Sequence, residues 1–516
     1  MRLVDFLDAG AQRDPSAVCF SEGGRHWTFA EAIDMSHRIA NAFRRDGLVP
    51  GDRVGVLAAN SASGLMCILG LLRAEATLVA LNLRNPAPDN AAHVRRCGVT
   101  WLLHDVQAND AAAHIQREAG EALRRFAIDG PEDAPGGLHE WLADSPATPR
   151  QPATPEAADG IWRLSLTGGT TGTPKRVEQT FRSAELTVAT ILALFHYEQR
   201  PTYLLAAPMT HAGGMFVFAY LAMGGRIVIL PRPQPDAILD AIHAEGVNAL
   251  FLPTTSLYDL LSHPRVHQID RSSLRHFLVG ASPLSPDRLA EAMDVFGPVM
   301  AQGFGQTEGA TLLTYMSPSE YEDARRVAPH RLRSCGRATP FVRVAVMDNE
   351  GQLLPPGTIG EIVVRSGMVM RAYRDDPEET ARAQRHGWHH TGDIGTMDDQ
   401  GYVTLLDRQR DLIITGGFNV FPSEVERAMT AHPAVHDCAV VGVPDDRWGE
   451  AVKAVVQLRA GVEVDVHTLQ SWCRERLGGV KAPKSVEIWS ELPRSAVGKV
   501  LRREVRKRFW TTDRQI

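Results

Sequence analysis

Residues Leu164 to Val177 read L-S-L-T-G-G-T-T-G-T-P-K-R-V, a glycine- and hydroxyl-rich loop that ends on a lysine. Gly168, Gly169 and Gly172 carry no Cβ that would keep backbone N–H groups from a phosphate, and Thr167, Thr170, Thr171 and Thr173 add hydroxyl donors. Lys175 supplies the formal charge, so the loop is suited to wrapping the triphosphate tail of a nucleotide. It departs from the phosphate loop in which lysine directly follows the last glycine and opens a helix. Here Thr173 and Pro174 intervene, and Pro174 pushes Thr173 out of helical geometry, so an extended loop is expected. On composition alone the same run is a flexible glycine-threonine turn.

Four further stretches follow in order. They are Gln302-Gly303-Phe304-Gly305-Gln306-Thr307-Glu308, Thr391-Gly392-Asp393, Asp407-Arg408-Gln409-Arg410-Asp411 leading into Gly416-Gly417-Phe418-Asn419, and Pro493-Arg494-Ser495-Ala496-Val497-Gly498-Lys499. Taken alone, Thr391-Gly392-Asp393 is a turn and Lys499 a surface lysine. Five motifs in one order over nearly the whole chain are more specific, and together they resemble the adenylate-forming superfamily of acyl- and aryl-CoA synthetases, luciferases and peptide-synthetase adenylation domains.

The resemblance implies a two-step reaction. A carboxylate attacks the α-phosphate of ATP to give an acyl adenylate and pyrophosphate, and a thiol then attacks the acyl carbonyl. It assigns Lys499 to the bridge between acyl oxygen and α-phosphate, Glu308 to Mg²⁺ and Thr307 to the hydroxyl beside it. Thr167, Gly168, Gly169, Thr170, Thr171, Gly172 and Lys175 are assigned to the phosphates. Phe304 is expected to stack on adenine, Gln302 to read its exocyclic amine, and Gly303 with Gly280, Ala281 and Ser282 to flank the base. Asp393 and Arg408 are expected at the ribose hydroxyls, and His211 at a gate for acyl group and thiol. Read alone, His211 is a satisfied core histidine. Gly416 and Gly417 are expected to line the tunnel for the pantetheine arm of coenzyme A after the small domain rotates about Arg410. The chain departs from the family's usual residues at Gly168, often serine; Arg176, often glycine; and Arg410, often aspartate or lysine.

The acyl wall implied by the family comprises Gly213, Gly214, Met215, Phe216, Ala281, Gly303, Gly309 and Ala310, all small or apolar. Met215 to Ala222 contains no acid to hold an α-ammonium, so an uncharged, bulky carboxylic acid is expected. Coenzyme A is the expected acceptor, with a carrier-protein thiol as the alternative. A nucleotide-binding homologue without catalysis is disfavoured by Lys499, Glu308 and Asp393. A dinucleotide oxidoreductase is disfavoured because Gly303 to Gly309 lacks the glycine triplet that opens a helix after a strand.

These motifs need a frame. The fold class expected is α/β, with a large N-terminal domain of layered βαβ subdomains plus a β-containing piece over residues 1–406. A hinge at 407–411 and a small mobile α+β C-terminal domain over 412–516 complete it. From Arg163 to Gln302 short apolar runs alternate with amphipathic stretches, which predicts a parallel sheet built from Trp162 to Leu166, Tyr203 to Ala207, Arg226 to Leu230, Ala249 to Leu252, His276 to Val279 and Val299 to Ala301. Helices are predicted over Asp236 to Glu245 and Pro286 to Phe296, which open on Asp or Pro. Thr28 to Leu103 repeats the rhythm and is expected to build a similar packed layer, with a proline-rich surface connection from Gly130 to Gly160 linking subdomains of one large unit. Val342 to Arg365 switches to a period of two around an Asp348-Asn349-Glu350-Gly351 turn.

At 516 residues the chain exceeds one compact core. Its net charge of −6 argues against a nucleic-acid or anionic-membrane surface. The basic run Arg502, Arg503, Arg506, Lys507 and Arg508 is read as a solvated helix face. Six cysteines without paired spacing suggest neither zinc nor a redox couple and fit the reducing cytoplasm. Asp5, Asp8 and Arg13 interrupt any secretory core. The longest apolar stretches, Gly64 to Leu72 and Met215 to Gly225, are too short to span a bilayer and are expected as buried helices.

Overall fold

The computed structural model describes residues 2–120, 122–130, 137–151, 159–167, 175–494 and 500–510. Among these, four sheets organise the chain. The largest runs Arg337–Ala338, Ala310–Met316, Met300–Gln306, His276–Gly280, Ala249–Pro253, Thr202–Leu205, Arg226–Ile229, Val18–Glu22, Arg25–Thr28, with its central strands parallel. The second, seven-stranded, runs Ala372–Tyr373, Arg176–Thr180, Ile161–Leu166, Thr77–Ala80, Arg53–Leu57, Trp101–His104, Arg124–Ala127. A four-stranded antiparallel sheet spans Val342–Met347 to Val403–Arg408, and a five-stranded sheet carries the C-terminal residues from Ile413–Thr415 onward. The fold is thus mixed α/β with a separate C-terminal domain, as expected.

The division of strands between the two large sheets differs from the sequence reading. Ile161–Leu166 does not join the strands that follow it. It pairs in parallel with Thr77–Ala80, Leu78 opposite Arg163, and so belongs with the earlier strands. Val18–Glu22 and its hairpin partner Arg25–Thr28, for which no strand was expected, join the larger sheet, where Val18–Glu22 pairs in parallel with Arg226–Ile229. Chain order predicts adjacency only as a tendency, and long-range parallel pairing is set by which apolar faces must be covered.

Two helices show how local sequence builds this frame. Phe29–Arg45 starts at a capping box in which Thr28 Oγ1 accepts from Glu31 N at 3.2 Å and Glu31 Oε2 accepts from Thr28 N at 2.7 Å. Its buried Phe29, Ala32, Ser36, Ile39 and Phe43 recur at helical spacing. Ala212–Ala222 has no polar stripe, which suits its place inside the main core. It and the equally buried Ala62–Arg73 are the two expected internal helices, and no helix among the described residues is long and apolar enough to cross a membrane.

The C-terminal basic run is the predicted solvated face only in part: Lys507 and Arg508 are exposed, but Arg502 and Arg506 are not. The Arg502 side chain is only 16% exposed, its Nε donates to Glu426 Oε1 at 2.7 Å and its Nη1 to Asp407 Oδ1 at 2.6 Å and Asp411 Oδ2 at 3.2 Å. Arg506 reaches Asp411 as well, at 3.4 Å. The helix lies across the strand end and the connecting turn, so burial by another element replaced water as the partner of these guanidiniums.

Candidate active site

The phosphate-loop candidate hangs between Ile161–Leu166 and Arg176–Thr180, an antiparallel pair with Leu166 opposite Arg176. Its flanks close on each other through Thr167 N donating to Lys175 O at 3.0 Å. Gly168, Gly169, Thr170, Thr171 and Gly172 lie outside the described residues, as do the extended loop expected there and Gly498 and Lys499. The flanks of the last motif are described: Arg494 and Val500 form an antiparallel bridge and Leu501 N donates to Pro493 O at 2.8 Å.

Lys175 marks where the loop meets the rest of the chain. Its ammonium pairs with Glu379 and stands 4.8 Å from the ring centre of Tyr373. The phenol of the same Tyr373 donates to Glu308 Oε1 at 2.9 Å. Two motifs far apart in the chain therefore meet on one aromatic side chain. The unusual Arg176 is absorbed beside it: its Nη2 donates to Arg374 O at 3.2 Å and its Nη1 lies 3.1 Å from Asp375 Oδ2, tying the strand to the segment that carries Tyr373.

Glu308 and Thr307 sit in the turn between Met300–Gln306 and Ala310–Met316. The register there shifts between Phe304 and Gln306, and a Cβ on Gly305 would lie 2.3 Å from the carbonyl oxygens of Ala310 and Thr311, so only glycine allows the turn to fold this tightly. Gln179 Nε2 holds Thr307 O at 3.1 Å from the phosphate-loop strand. Gln306 and the deeply buried His389 bond at 3.0 Å. Phe304 is 8% exposed and packs with Leu313 and Ile362. Gln302 accepts through Oε1 from Tyr321 OH at 2.6 Å. Val279 is the Cα partner of Gln302, and a Cβ on Gly280 would stand 3.0 Å from Gly303 O, so the Gly280-Ala281-Ser282 strip borders the second motif. Ala281 adopts a left-handed φ of 68°, a strained backbone for a residue with a Cβ. Ser282 O accepts from Thr254 Oγ1 at 3.0 Å.

Thr391-Gly392-Asp393 is no free turn. It lies within the strand His389–Met397, where Asp393 is the Cα partner of Arg408 on Val403–Arg408. Arg408 Nε approaches Asp393 Oδ1 at 2.7 Å, so the two residues expected at one ribose do meet. Arg410 stands close enough to Arg408, Asp411, Asp393 and Glu308 to feel their charges, and burial leads the influences that push its guanidinium below its ordinary range. Glu308, Asp393, Arg408, Arg410 and Tyr373 thus share one electrostatic neighbourhood.

His211 caps Ala212–Ala222 at its N-terminus and its Nδ1 lies 3.1 Å from Thr210 Oγ1. Burial first, then the positive charge of Arg163, push its imidazole down to about 4, so the ring is neutral at pH 7. Gly416 and Gly417 form the turn between Ile413–Thr415 and Phe418–Val420, both with positive φ, and Gly416 N donates to Trp448 O at 2.8 Å. The Trp448 ring lies where a Cβ on Gly416 would be, 2.5 Å away. This turn belongs to the C-terminal sheet.

Tyr373 and Glu379 escaped the sequence reading. Their signal, a tyrosine and a helix-opening Asp376-Pro377 after a short strand, is too common to stand out.

The profile of the AMP-binding enzyme family matches residues 7–374, and that of the AMP-binding enzyme C-terminal domain matches residues 424–499. This chain belongs to the AMP-binding enzymes. A medium/long-chain-fatty-acid–CoA ligase, FadD8 of Mycobacterium tuberculosis, is 35% identical over 95% of this chain and 86% of its own. A feruloyl-CoA synthase of an Amycolatopsis species is 35% identical over 97% of both chains. Among solved structures, the amide bond synthetase McbA from Marinactinospora thermotolerans superposes with a TM-score of 0.87 at 30% identity, covering 98% of this chain and 100% of that one. The chain is therefore an adenylate-forming ligase, and its relatives differ in the acid they activate and the group that accepts it.

Proposed function

We propose that this protein is an acid:CoA ligase that joins a carboxylic acid to ATP as an acyl adenylate, releases pyrophosphate, and passes the acyl group to the thiol of coenzyme A. The observation that carries the reading is the meeting of Lys175 and Glu308 on Tyr373, because it joins a phosphate-binding cation to a carboxylate suited to a hard metal. Adenylation crowds negative charge at one phosphorus, and fixed cations and donors aimed at it lower the barrier. Lys175 and the loop before it would hold the β- and γ-phosphates, Asp393 and Arg408 the ribose, and Lys499 the transferring phosphate.

Among the described residues no group of three acid, histidine or cysteine side chains is placed to hold a metal. A lone carboxylate with phosphate oxygens suits Mg²⁺, which keeps several waters and seldom occupies an all-protein cage. Glu308 would be its protein ligand, with Thr307 beside it, and the ion would offset phosphate charge. Neutral His211 would flank the acyl carbonyl without adding charge. Residues 407–411 would serve as hinge between a large domain of 1–406 and a small one of 412–516, and rotation would bring Gly416 and Gly417 to the pantetheine arm.

The apolar wall around Met215 and Phe216 favours an uncharged, bulky acid, in keeping with relatives named for fatty and aryl acids. A panel of carboxylic acids coupled to pyrophosphate detection, with and without coenzyme A, tests the reading. Acid-dependent pyrophosphate release with a thioester product supports it. Release that proceeds while coenzyme A is never acylated, but a carrier protein or amine is, would reassign the acceptor.

A further inference from the structure

The loop between Thr202–Leu205 and Ala212–Ala222 presents His211, and side chains from elsewhere in the fold fix it. Met209 N donates to Asn60 Oδ1 at 2.7 Å, and Asn60 Nδ2 donates to Ala207 O at 3.0 Å. His211 N donates to Pro208 O at 3.0 Å, and a Cβ on Gly214 would lie 1.9 Å from Met209 O, so the turn into the helix is tight. A further tie is charged: Arg163 Nη2 donates to Thr210 O at 2.6 Å. Arg163 stands on Ile161–Leu166, the strand of the seven-stranded sheet that leads into the phosphate loop, whereas Thr202–Leu205 belongs to the nine-stranded sheet. One guanidinium thus spans from the strand of the phosphates to the loop of the acyl gate.

Arg163 is a costly residue for that tie. It is 7% exposed, no acid pairs with it among the described residues, and its Nε has no hydrogen-bond partner there. The ring of the adjacent Trp162, centred 5.6 Å from its guanidinium carbon, offers only a weak counterpart to the charge. Burial pushes the guanidinium down from 12.5 to about 10, so it remains charged at pH 7. A neutral donor such as glutamine could bond one carbonyl without burying an unpaired charge, whose desolvation costs far more than that of an amide. Stability therefore does not account for the arginine. His211 does: it keeps part of its surface open, and Arg163 is the one charged side chain among the described residues that bears on its ring. A positive neighbour disfavours imidazolium, so Arg163 acts in the same sense as burial.

We propose that Arg163 is a positioning residue that holds His211 at the acyl site by clamping the loop before it to the phosphate-loop strand. The inference rests on the reading of His211 as the gate of a carboxylate-activating site. Arg163 itself touches no substrate. It acts through Thr210 O on where the imidazole stands, and through its charge on whether the imidazole carries a second proton. An imidazolium there would pair with the attacking carboxylate and hold it back from phosphorus, whereas a neutral ring leaves it free to attack.

The test is a double-mutant cycle on the full chain: the native protein, Arg163→Met, His211→Ala and the double variant. Each is assayed for pyrophosphate release at saturating MgATP across concentrations of the best acid in the panel, alongside thermal unfolding. Arg163→Met should lower kcat/KM by about 10- to 100-fold, the scale of a misplaced reacting group, while the unfolding temperature holds or rises because an unpaired buried charge has gone. In the His211→Ala background the same change should cost less than about threefold. Arg163→Lys, which keeps the charge, should recover part of the loss. Equal losses in both backgrounds, or no loss in the native one, overturn the proposal. If Arg163→Met does not fold, Arg163→Gln takes its place in the cycle. If no acid releases pyrophosphate with the native protein, the parent reading fails separately, and NMR titration of the His211 ring, assigned by its absence in His211→Gln, then decides this one. A protonation midpoint that moves up in Arg163→Met and back in Arg163→Lys sustains the proposal, and an unmoved midpoint overturns it.

Discussion

Glu379 holds the lysine that the proposed reaction requires at the phosphates. The side chains of Lys175 and Glu379 are 21% and 25% exposed, so the pair is largely shielded from water and salt, and among the described residues the only other cation paired with Glu379 is Arg382, itself 69% exposed. A charge-assisted pair in such a setting contributes about 1–2 kcal/mol, above the value for open surface pairs. ATP must compete with Glu379 for Lys175, and the carboxylate also repels the incoming phosphates. Glu379→Gln should therefore lower the apparent KM for MgATP by about 5- to 30-fold with little change in kcat, since 1–2 kcal/mol corresponds to that factor. The assay is initial-rate pyrophosphate release across ATP concentrations at saturating acid, for the native protein, Glu379→Gln, Lys175→Ala and the double variant. Lys175→Ala should raise KM, and in its background Glu379→Gln should lose most of its effect, which marks the two as one coupled pair. A KM for ATP that rises in Glu379→Gln, or effects that add without coupling, would refute the competition.

Three further outcomes are expected. Lys499→Ala should slow adenylation by about 10²–10³-fold, the scale of a lost transition-state contact, while thioester formation from supplied acyl adenylate is largely spared; equal loss in both half-reactions contradicts the role. Arg502→Met should destabilise the C-terminal unit by about 3–5 kcal/mol, because it leaves Asp407, Asp411 and Glu426 without their shared cation, and a shift below about 1 kcal/mol in urea unfolding would show that water already screens the cluster. Buried His93 and His389, 3% and 4% exposed, have imidazoles pushed by burial from 6.5 down to about 4, so the unfolded chain takes up their protons first as pH falls. Stability should thus be lost from pH 6.5 toward 4, by about 2 kcal/mol per histidine at pH 5. Asp105, raised by burial to about 6 from 3.8, works in the opposite sense over that window. His389→Gln should flatten the slope by one proton in unfolding measured at pH 6.5 and 5, and an unaltered slope counts against the assignment.

Much of this protein is legible without coordinates. The proline-led helix Pro286–Phe296 and the strand His276–Gly280 follow from side-chain types within a few residues of each other, and local sterics and periodicity act at that range. The motif order was enough to name the superfamily, because the phosphates and the sugar each demand particular residue types at short spacing. The pairing of Asp393 with Arg408 follows from two of those motifs. The docking of Ile161–Leu166 onto the earlier strands was beyond such reasoning. An apolar strand reads the same wherever it docks, and only the covering of whole sheet faces selects its partner. The same holds for side chains whose meaning depends on what lies above them. Arg502 reads as a solvated cation until three acids close over it, and Glu379 as one of many helix-opening acids until Lys175 arrives from the phosphate loop. Arg163 is an ordinary strand cation until burial removes water and leaves it, among the described residues, without an acid. Residue type and spacing determined which chemistry the chain can attempt. Tertiary structure alone decided which groups share a neighbourhood and which are deprived of solvent, because desolvation and contact between distant segments exist only once the chain has packed.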